Sequence, residues 1–343
     1  MAASAAVAIN GRAAVREQIG GVERFAREMS ARLPALRPER YRVITPPAAL
    51  AHRAGHVWEQ AVLPARSRHA TLLYSPANLA PVLSRRNVVV LHDVAALRHP
   101  EAYSRVYVAY QRTMLPAIAR QARMVLTVSE FSRRELIEVL GVAPDRVKVI
   151  PEGVDERFRP DVDASSVCAR FRLTRPYVLA LGTASARKNL AVLDEVGPTL
   201  AEHGLELVVA GSDRAYLRAP DTAARRIGYV PDQDLPALYA GARAFVMPSR
   251  YEGFGLPCLE AMAAGVPVVA ADAGALPETC GDAALLVSPT DPEAIAAALL
   301  RACSDEPSRA GLIAAGIRRA AEYSWTRTVS LTDELIGRLL ADG

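Results

Sequence analysis

Short, wholly apolar runs recur at regular intervals along this chain, and they constrain its fold more than any other feature. The run Val88–Leu91 does not alternate apolar and polar residues, which indicates a strand buried on both faces, as in a parallel sheet. Helix-length segments separate the runs, so the sequence predicts an α/β fold with doubly wound parallel sheets. The predicted strands include Val7–Asn10, Thr71–Ser75, Asn87–Asp93, Met124–Glu130, Val147–Pro151, Tyr177–Thr183, Leu205–Ser212, Ala244–Ser249, Pro267–Asp272 and Ala284–Pro289.

The predicted strands fall into two groups, separated by a polar and irregular stretch from Asp155 to about Arg172. A chain of 343 residues is long enough for two domains. We therefore predict one Rossmann-like domain at residues 1–160 and a second at 171–324, facing a cleft. Ligands of open parallel sheets bind beyond the carboxyl ends of the strands, so residues just after each strand are the first candidates for function.

Composition limits the location and the partners of the chain. No apolar run approaches the roughly 20 residues that span a bilayer, and we expect a soluble, cytoplasmic protein. The net charge is +11 through residue 150 and −7 beyond it. The basic first half suits an anionic acceptor or peripheral membrane contact as well as it suits an ordinary Arg-rich surface. The arginines stand singly, without interleaved aromatic residues, which argues against a nucleic-acid partner.

The segment Glu252–Glu260 carries the strongest chemical signal. It follows a predicted strand and opens a helix, so its two glycines let the backbone approach a ligand and the helix N-terminus presents N–H groups to a phosphate. Glu260, expected in the first helical turn, suits a ribose diol, and Glu252 on the preceding loop suits sugar hydroxyls. A simple helix-capping loop is the alternative interpretation.

A second signal follows the strand that ends at Gly182, where Arg187 and Lys188 form a cationic pair in a short loop. Paired cations at this position suit a diphosphate that gains charge as its sugar departs. Lys188 is one of only two lysines, against 39 arginines. Exposed loop charges without a ligand are the alternative interpretation.

Three weaker signals remain. His92 and Asp93 end an apolar strand, and we expect His92 to point into the cleft unless it is a satisfied structural histidine. Gly20–Gly21 follows the first strand and suits either a phosphate or acceptor contact or a tight turn. Two D-x-D pairs suggest a metal site, but Asp161–Asp163 lies in the linker and Asp232–Asp234 precedes a helix that Asp234 is expected to cap. We therefore predict no metal site.

Together these segments resemble the retaining GT-B glycosyltransferases of family 4 over nearly the whole chain. The matching positions are Glu252 and Glu260 for the family's E-x7-E motif, Gly182 and Lys188 for its Gly-x5-Lys motif, Gly20 and Gly21 for its N-terminal glycine loop, and His92 for its active-site histidine.

Three further segments extend the resemblance. Ile150–Asp155 is similar to the family's hinge motif, in which Asn is usual where Glu152 stands. Arg226–Pro231 is similar to the segment whose backbone contacts the base of the donor nucleotide. Residues 325–343 resemble the family's last helix, which crosses back to the N-terminal domain. One departure is Thr183, where many members carry Arg; Arg187 resembles the variant of mannosyltransferase-like members.

The resemblance implies retaining transfer of a sugar from a nucleoside-diphosphate donor, UDP-linked before GDP- or dTDP-linked, to a hydroxyl of a glycan or small molecule. No metal or other cofactor is expected. The first domain would bind the acceptor and the second the donor. The implied catalytic residues are His92, Arg187, Lys188 and Glu252. The implied donor-binding residues are Gly20, Gly21, Gly182, Arg187, Lys188, Tyr229, Val230, Glu252, Gly253, Phe254, Gly255, Leu256 and Glu260.

Alternatives stay open at this point. A GDP-linked mannosyltransferase and a nucleotide-sugar epimerase on the same scaffold remain alternatives, although the first half offers no candidate acid/base carboxylate apart from Asp93. A non-catalytic sugar-binding protein should have lost Lys188 or Glu252 and has lost neither, and a Rossmann dehydrogenase is disfavoured because no strand is followed by GxGxxG. The length and the Arg/Ala-rich composition are also similar to those of actinomycete members that decorate oligosaccharide antibiotics such as avilamycin.

Overall fold

The computed structural model describes residues 5–16, 19–47, 50, 55–182, 185–211 and 224–342. The chain forms two compact units. The first unit contains the chain up to Leu97, Ala109–Glu152 and the chain from Trp325, and the second contains Arg98–Val108 and Gly153–Ser324. The chain passes from the first unit to the second at Glu152, so the stretch predicted as a linker belongs to the second unit and contains a helix, Ser165–Arg170.

The first unit is built on a six-stranded sheet in which every observed pairing is parallel. Its strand order is β2-β1-β3-β4-β5-β6, so the order reverses between β1 and β3. Its strands are β1 (Val7–Asn10), β2 (Tyr41–Ile44), β3 (Leu72–Ser75), β4 (Asn87–Val90), β5 (Met124–Thr127) and β6 (Val147–Val149).

The second unit has its own six-stranded parallel sheet, with the order β12-β11-β10-β7-β8-β9. Here the order reverses between β7 and β10, and this is the point where doubly wound sheets bind their ligands. Its strands are β7 (Tyr177–Leu181), β8 (Glu206–Ala210), β9 (Arg225–Gly228), β10 (Ala244–Met247), β11 (Val268–Ala271) and β12 (Ala284–Val287).

Helices connect the strands in both units. A π-helical turn, Trp58–Val62, lies between the second and third helices. The α-helices of the described residues are α1 (Gly21–Leu36), α2 (Gly55–Val57), α3 (Leu63–Arg66), α4 (Ala95–Arg98), α5 (Arg105–Gln121), α6 (Glu130–Leu140), α7 (Ser165–Arg170), α8 (Leu193–Glu202), α9 (Leu235–Ala240), α10 (Leu256–Ala263), α11 (Leu276–Cys280), α12 (Pro292–Ser304), α13 (Glu306–Ala321) and α14 (Trp325–Ala341).

The helices bury apolar faces against the sheets, as the sequence pattern predicts. In the first unit, Phe25, Met29 and Leu33 of α1 are almost completely buried. In the second unit, Leu193 of α8 and Leu299 of α12 belong to one core cluster with the sheet strands. Burying one such side chain contributes about 1.5–3 kcal/mol, so these faces fix the loops that follow the strands.

The predicted strands are confirmed, β1 over its whole predicted run and the others over most of theirs, but two strands were missed. Thr183 and Ser212, the last residues of two predicted runs, lie outside the described residues. The missed strands are β2 and β9, which lie at edges of their sheets. Arg42 is exposed in the middle of β2, and no residue of β9 is fully buried. Edge strands are covered less completely than central ones, so they tolerate polar residues that hide the strand pattern.

No helix among the residues described above is long and apolar enough to cross a membrane.

Candidate active site

The predicted cationic loop and the predicted acidic loop meet at the switch point of the second sheet. Arg187 and Lys188 lie in a short 3-10 turn after β7, and Glu252 lies in the loop after β10, the strand beside β7. The Lys188 Nζ is 2.7 Å from Oε1 of Glu252, and the Arg187 Nη1 is 3.4 Å from its Oε2. All three side chains are largely buried, so the structure brings these predicted residues together as one ion cluster.

The ion cluster carries surplus positive charge, since two cations surround one carboxylate. Burial lowers the pKa of Lys188, with Glu252 opposing and Arg187 reinforcing the shift. Burial alone would raise the pKa of Glu252, but Lys188 and Arg187 hold it below its usual value. The shift of Glu252 thus reflects the two cations beside it, whereas the shift of Lys188 reflects mainly its burial. With one carboxylate between two cations, the cluster favours the binding of an anion.

Asn189 fixes the cationic turn. It is in the left-handed conformation, with φ 54°, which Asn tolerates better than most residues. Its side-chain Nδ2 donates to the carbonyls of Pro248 (3.1 Å) and Pro289 (2.7 Å), which follow β10 and β12. On the other side, the Lys188 stem lies 3.5–3.7 Å from where a Cβ on Gly182 would stand, in ordinary contact.

The glycine loop before α10 is held by close backbone packing. Gly255 is the N-cap residue, with φ 99°, and a Cβ at this position would lie 2.6 Å from Leu276 Cδ2. The Glu252 carbonyl accepts the Ala275 N–H (3.0 Å), and the Phe254 carbonyl accepts the Thr279 hydroxyl (2.6 Å). Gly253 and Phe254 thus belong to a loop anchored by the segment after β11. The segment opens a helix as predicted, and that helix, α10, begins at Leu256.

Glu260 is placed differently from the prediction. Because α10 begins at Leu256, Glu260 lies beyond the first turn. It is buried, and its Oε2 accepts a hydrogen bond from the Tyr239 hydroxyl at 3.0 Å. In the same unit, Tyr229 and Val230 follow β9; the Tyr229 side chain is exposed and Val230 is buried.

His92 lies in the first unit and is enclosed there, with 4% of the residue exposed. Its Nδ1 is 3.0 Å from the Glu152 Oε1, and its Nε2 is 3.1 Å from the Pro76 carbonyl oxygen. Both ring nitrogens therefore have partners within the unit, which is what the alternative interpretation of a satisfied structural histidine expects. Burial opposes protonation, but Glu152 prevails and the pKa of His92 is raised.

Gly20 and Gly21 stand at the start of α1, in the first unit. Gly20 is the N-cap residue, and its N–H donates to Oε2 of Glu23 at 3.0 Å. A Cβ added to Gly21 would meet no atom within 4 Å. The turn itself therefore does not require glycine at position 21, whereas a ligand close to the backbone would.

Three of the four D-x-D acids pair with arginines, and the fourth, Asp163, accepts the Ser165 backbone N–H at 2.9 Å. Asp161 pairs with Arg159, and Asp232 pairs with Arg157. Asp234 occupies the N-cap position of α9, but its carboxylate bonds Arg170 and makes no capping hydrogen bond, which corrects the predicted role. Within the described ranges, no group of three His, Cys, Asp or Glu side chains is arranged to hold a metal ion.

Sequence reasoning missed one neighbour of the ion cluster, Tyr103. Its hydroxyl accepts a hydrogen bond from the Arg187 Nε at 3.0 Å. Tyr103 belongs to Arg98–Val108, a segment from the first half of the chain that is part of the second unit. The guanidinium also donates from Nη1 to the Tyr251 carbonyl at 3.1 Å, so Arg187 is held on two sides. No local pattern around Tyr103 signals this role.

Comparison with known proteins identifies the family. Residues 62–158 match the family described as "Glycosyltransferase Family 4", and residues 175–305 match "Glycosyl transferases group 1". The chain is 34% identical over 276 residues to the O-antigen chain mannosyltransferase B of Escherichia coli, covering 76% of this chain and 72% of that protein. The chain belongs to glycosyltransferase family 4.

A second relative supports the family assignment, and a solved structure supports the fold. This glycosyltransferase is 33% identical over 261 residues to the MMP alpha-(1->4)-mannosyltransferase of Mycolicibacterium hassiacum, covering 66% of this chain and 58% of that protein. The sucrose-phosphate synthase of Thermosynechococcus elongatus superposes with a TM-score of 0.77 at 19% identity, covering 99% of this chain and 100% of that one. This likeness shows the fold, and the two parallel α/β units are those of a GT-B glycosyltransferase.

Proposed function

We propose that this glycosyltransferase moves a sugar from a nucleoside-diphosphate donor to a hydroxyl acceptor, with retention of the anomeric configuration and without a metal ion. The observation that carries the proposal is the ion cluster of Arg187, Lys188 and Glu252 at the switch point of the second sheet. Its surplus positive charge lies where a doubly wound sheet binds phosphates and offsets the charge of a departing diphosphate.

Each group of the cluster has a distinct proposed task. Arg187 and Lys188 bind the diphosphate oxygens, the guanidinium through two N–H groups and the ammonium as a compact charge. Glu252 accepts hydrogen bonds from the hydroxyls of the donor sugar, the backbone of Gly253–Leu256 lies along the sugar and phosphate, and Glu260 binds the ribose. The diphosphate that leaves takes the proton of the acceptor hydroxyl, so positioning and charge stabilisation provide the catalysis.

The relatives bear on which sugar is transferred. Both curated relatives described above are named as mannosyltransferases. We propose mannose as the transferred sugar, which favours the GDP-linked donor over the UDP-linked donor that was first expected. The name of the first relative refers to an O-antigen chain, so for the acceptor we propose a glycan in preference to an antibiotic.

The first experiment is a thermal-shift series with UDP, GDP, dTDP, ADP and NAD, each with and without EDTA. A ligand at about a hundred times its dissociation constant adds about 2.7 kcal/mol of stability. A shift for one nucleoside diphosphate that survives EDTA supports the metal-free donor site and identifies the base. No shift with any diphosphate, or a shift abolished by EDTA, contradicts the proposal.

The second experiment measures turnover and the anomeric configuration of the product by NMR. We expect Lys188→Ala and Glu252→Ala each to lower turnover at least about a hundredfold, as the loss of one transition-state contact does. The matched controls are Lys148→Ala and Glu202→Ala, which change exposed side chains. An inverted product rejects retention, and isomerisation of the donor without acceptor indicates an epimerase instead.

A further inference from the structure

The partners of His92 restrict its protonation state. A carbonyl oxygen can only accept, so the contact with Pro76 requires a proton on Nε2. The other nitrogen faces a carboxylate, which also accepts when ionised. The contact between Nδ1 and Glu152 therefore contains a second proton, besides the one on Nε2. The two side chains form either an imidazolium with a carboxylate or an imidazole with a carboxylic acid.

The surroundings favour the imidazolium. Two acids, Glu152 and Asp93, act on the ring, and both favour its cationic form. The remaining neighbours are uncharged: the Phe25 ring meets the imidazole edge-on at 5.0 Å, Asn78 Oδ1 accepts the His92 backbone N–H at 2.7 Å, and the Ser132 hydroxyl donates to its backbone carbonyl at 2.9 Å. Burial of the ring disfavours its protonated form, and the carboxylate in direct contact with Nδ1 offsets this effect.

Glu152 is itself held in place by the backbone. It ends the segment Ala109–Glu152 of the first unit, and the preceding Pro151 carbonyl accepts a hydrogen bond from the Thr328 hydroxyl of α14 at 2.8 Å. Asn is usual at this position in the motif that Ile150–Asp155 resembles. An Asn amide carries no charge and can donate or accept, so only the Glu found here adds a negative charge to the histidine.

We propose that Glu152 is a positioning residue that keeps His92 as an imidazolium, so that during sugar transfer its Nε2–H stays on the Pro76 carbonyl and ties the loops after β3 and β4 together, and the ring never acts as a base. The role in transfer rests on the proposed function. When the pH rises through the pKa of the pair, a proton goes to solvent and the Nδ1 lone pair faces the carboxylate. Activity should therefore fall on the alkaline side with this titration.

Glu152→Gln separates charge from geometry. The Gln amide can donate to Nδ1, and Nε2 can keep its proton for Pro76, so the ring stays in place as a neutral imidazole. The titration is followed by 15N NMR of the ring nitrogens in the full chain, with the His92 signals assigned by their loss in His92→Gln. The matched control is Glu101→Gln, because the Glu101 and His99 side chains form a more exposed pair with a 3.2 Å contact.

We expect both ring nitrogens of His92 to be protonated at about pH 7.5 in the wild type, and the pKa to fall by at least about one unit in Glu152→Gln. Glu101→Gln should leave the His92 signals unchanged. Neutral His92 in the wild type at this pH, or the same titration in Glu152→Gln, overturns the proposal. Should Glu152→Gln fail to fold, Glu152→Asn is the second neutral variant, with the same expected fall.

The activity measurement tests the second half of the proposal. The alkaline limb of the kcat profile should move to lower pH in Glu152→Gln by the amount that NMR gives for His92, and Glu152→Asp should restore it in part. If the NMR pKa of His92 shifts in Glu152→Gln and the alkaline limb of the kcat profile does not, the role in transfer is refuted. Absence of activity with every nucleotide sugar refutes the proposed function instead, while the NMR result still decides the protonation state.

Discussion

The ion cluster of the second unit should show strong energetic coupling between Lys188 and Glu252. With an effective dielectric constant of about 20, the 2.7 Å and 3.4 Å contacts of Glu252 correspond to similar Coulomb attractions, about 6 and 5 kcal/mol. Removing one partner of a buried pair costs about 3–5 kcal/mol, because the other charge is left uncompensated. In Lys188→Met, Arg187 still neutralises Glu252, so we expect a loss of stability of about 3 kcal/mol, the lower end of that range.

The corresponding Glu252→Gln variant leaves two cations side by side and should lose more stability than Lys188→Met. The double variant removes both members of the contact and should be more stable than the sum of the single losses predicts. We expect a coupling energy of about 1.5–3 kcal/mol, at the upper end of values for residues in contact.

The coupling is measured by urea unfolding followed by far-UV circular dichroism. Both tryptophans, Trp58 and Trp325, belong to the first unit, so their fluorescence provides a separate signal for that unit. The matched control cycle uses the exposed pair Arg159–Asp161 of the second unit, with a contact of 3.0 Å. Exposed pairs couple weakly, so this cycle should be close to additive. If the Lys188–Glu252 cycle is also additive within about 0.5 kcal/mol, the argument for a buried, mutually dependent cluster is refuted.

Three further predictions follow from contacts described above. Gly255→Ala should destabilise the protein by about 1–3 kcal/mol in urea unfolding, because of its positive φ and the lack of space for a Cβ, whereas Gly311→Ala within α13 meets open space and should stabilise it. Tyr103→Phe should weaken binding of the nucleoside diphosphate about fivefold in calorimetry, since Arg187 loses a hydrogen bond of about 1 kcal/mol; unchanged affinity would show that Tyr103 does not position it. The pKa of His92 is raised on folding, so its stabilisation is complete below the unfolded value of about 6.5 and is lost as pH rises through the folded value. The stability difference between wild type and His92→Gln should therefore shrink with rising pH, and a growing difference would contradict the sign.

The sequence predicted the central strands because each has covered faces, and it failed where that condition fails. Val88 and Val89 of β4 have no exposed surface, which is why their apolar run correctly indicated a strand buried on both faces. In the edge strand β2, Arg42 is exposed and interrupts the pattern. The local signal of a strand is therefore lost at the edge strands β2 and β9, whereas the edge strands β6 and β12 keep an apolar run and were predicted.

The site was predicted as two loops but not as one cluster. Lys188 and Glu252 are separated by 64 positions, and their contact depends on β7 and β10 being neighbours, which the apolar runs do not specify. Tyr103 was out of reach for the same reason, since its contact with Arg187 joins segments from different halves of the chain. Spacing in sequence can assign chemistry to a loop, but the sheet order decides which loops meet.

The two units use the same arrangement for opposite purposes. In each, a buried carboxylate from the loop after a later strand contacts a basic group placed after an earlier strand: Glu252 with Lys188, and Glu152 with His92. In the second unit Arg187 adds a further cation, so the charges do not balance and the site is prepared for an anion. In the first unit Glu152 contacts His92 as a balanced pair with a fixed proton, and Asp93 adds a further negative charge, so no surplus positive charge attracts phosphate. Because a carboxylate stabilises whichever cation it contacts, the number of cations around it decides whether the site binds an anion or holds a hydrogen-bond donor.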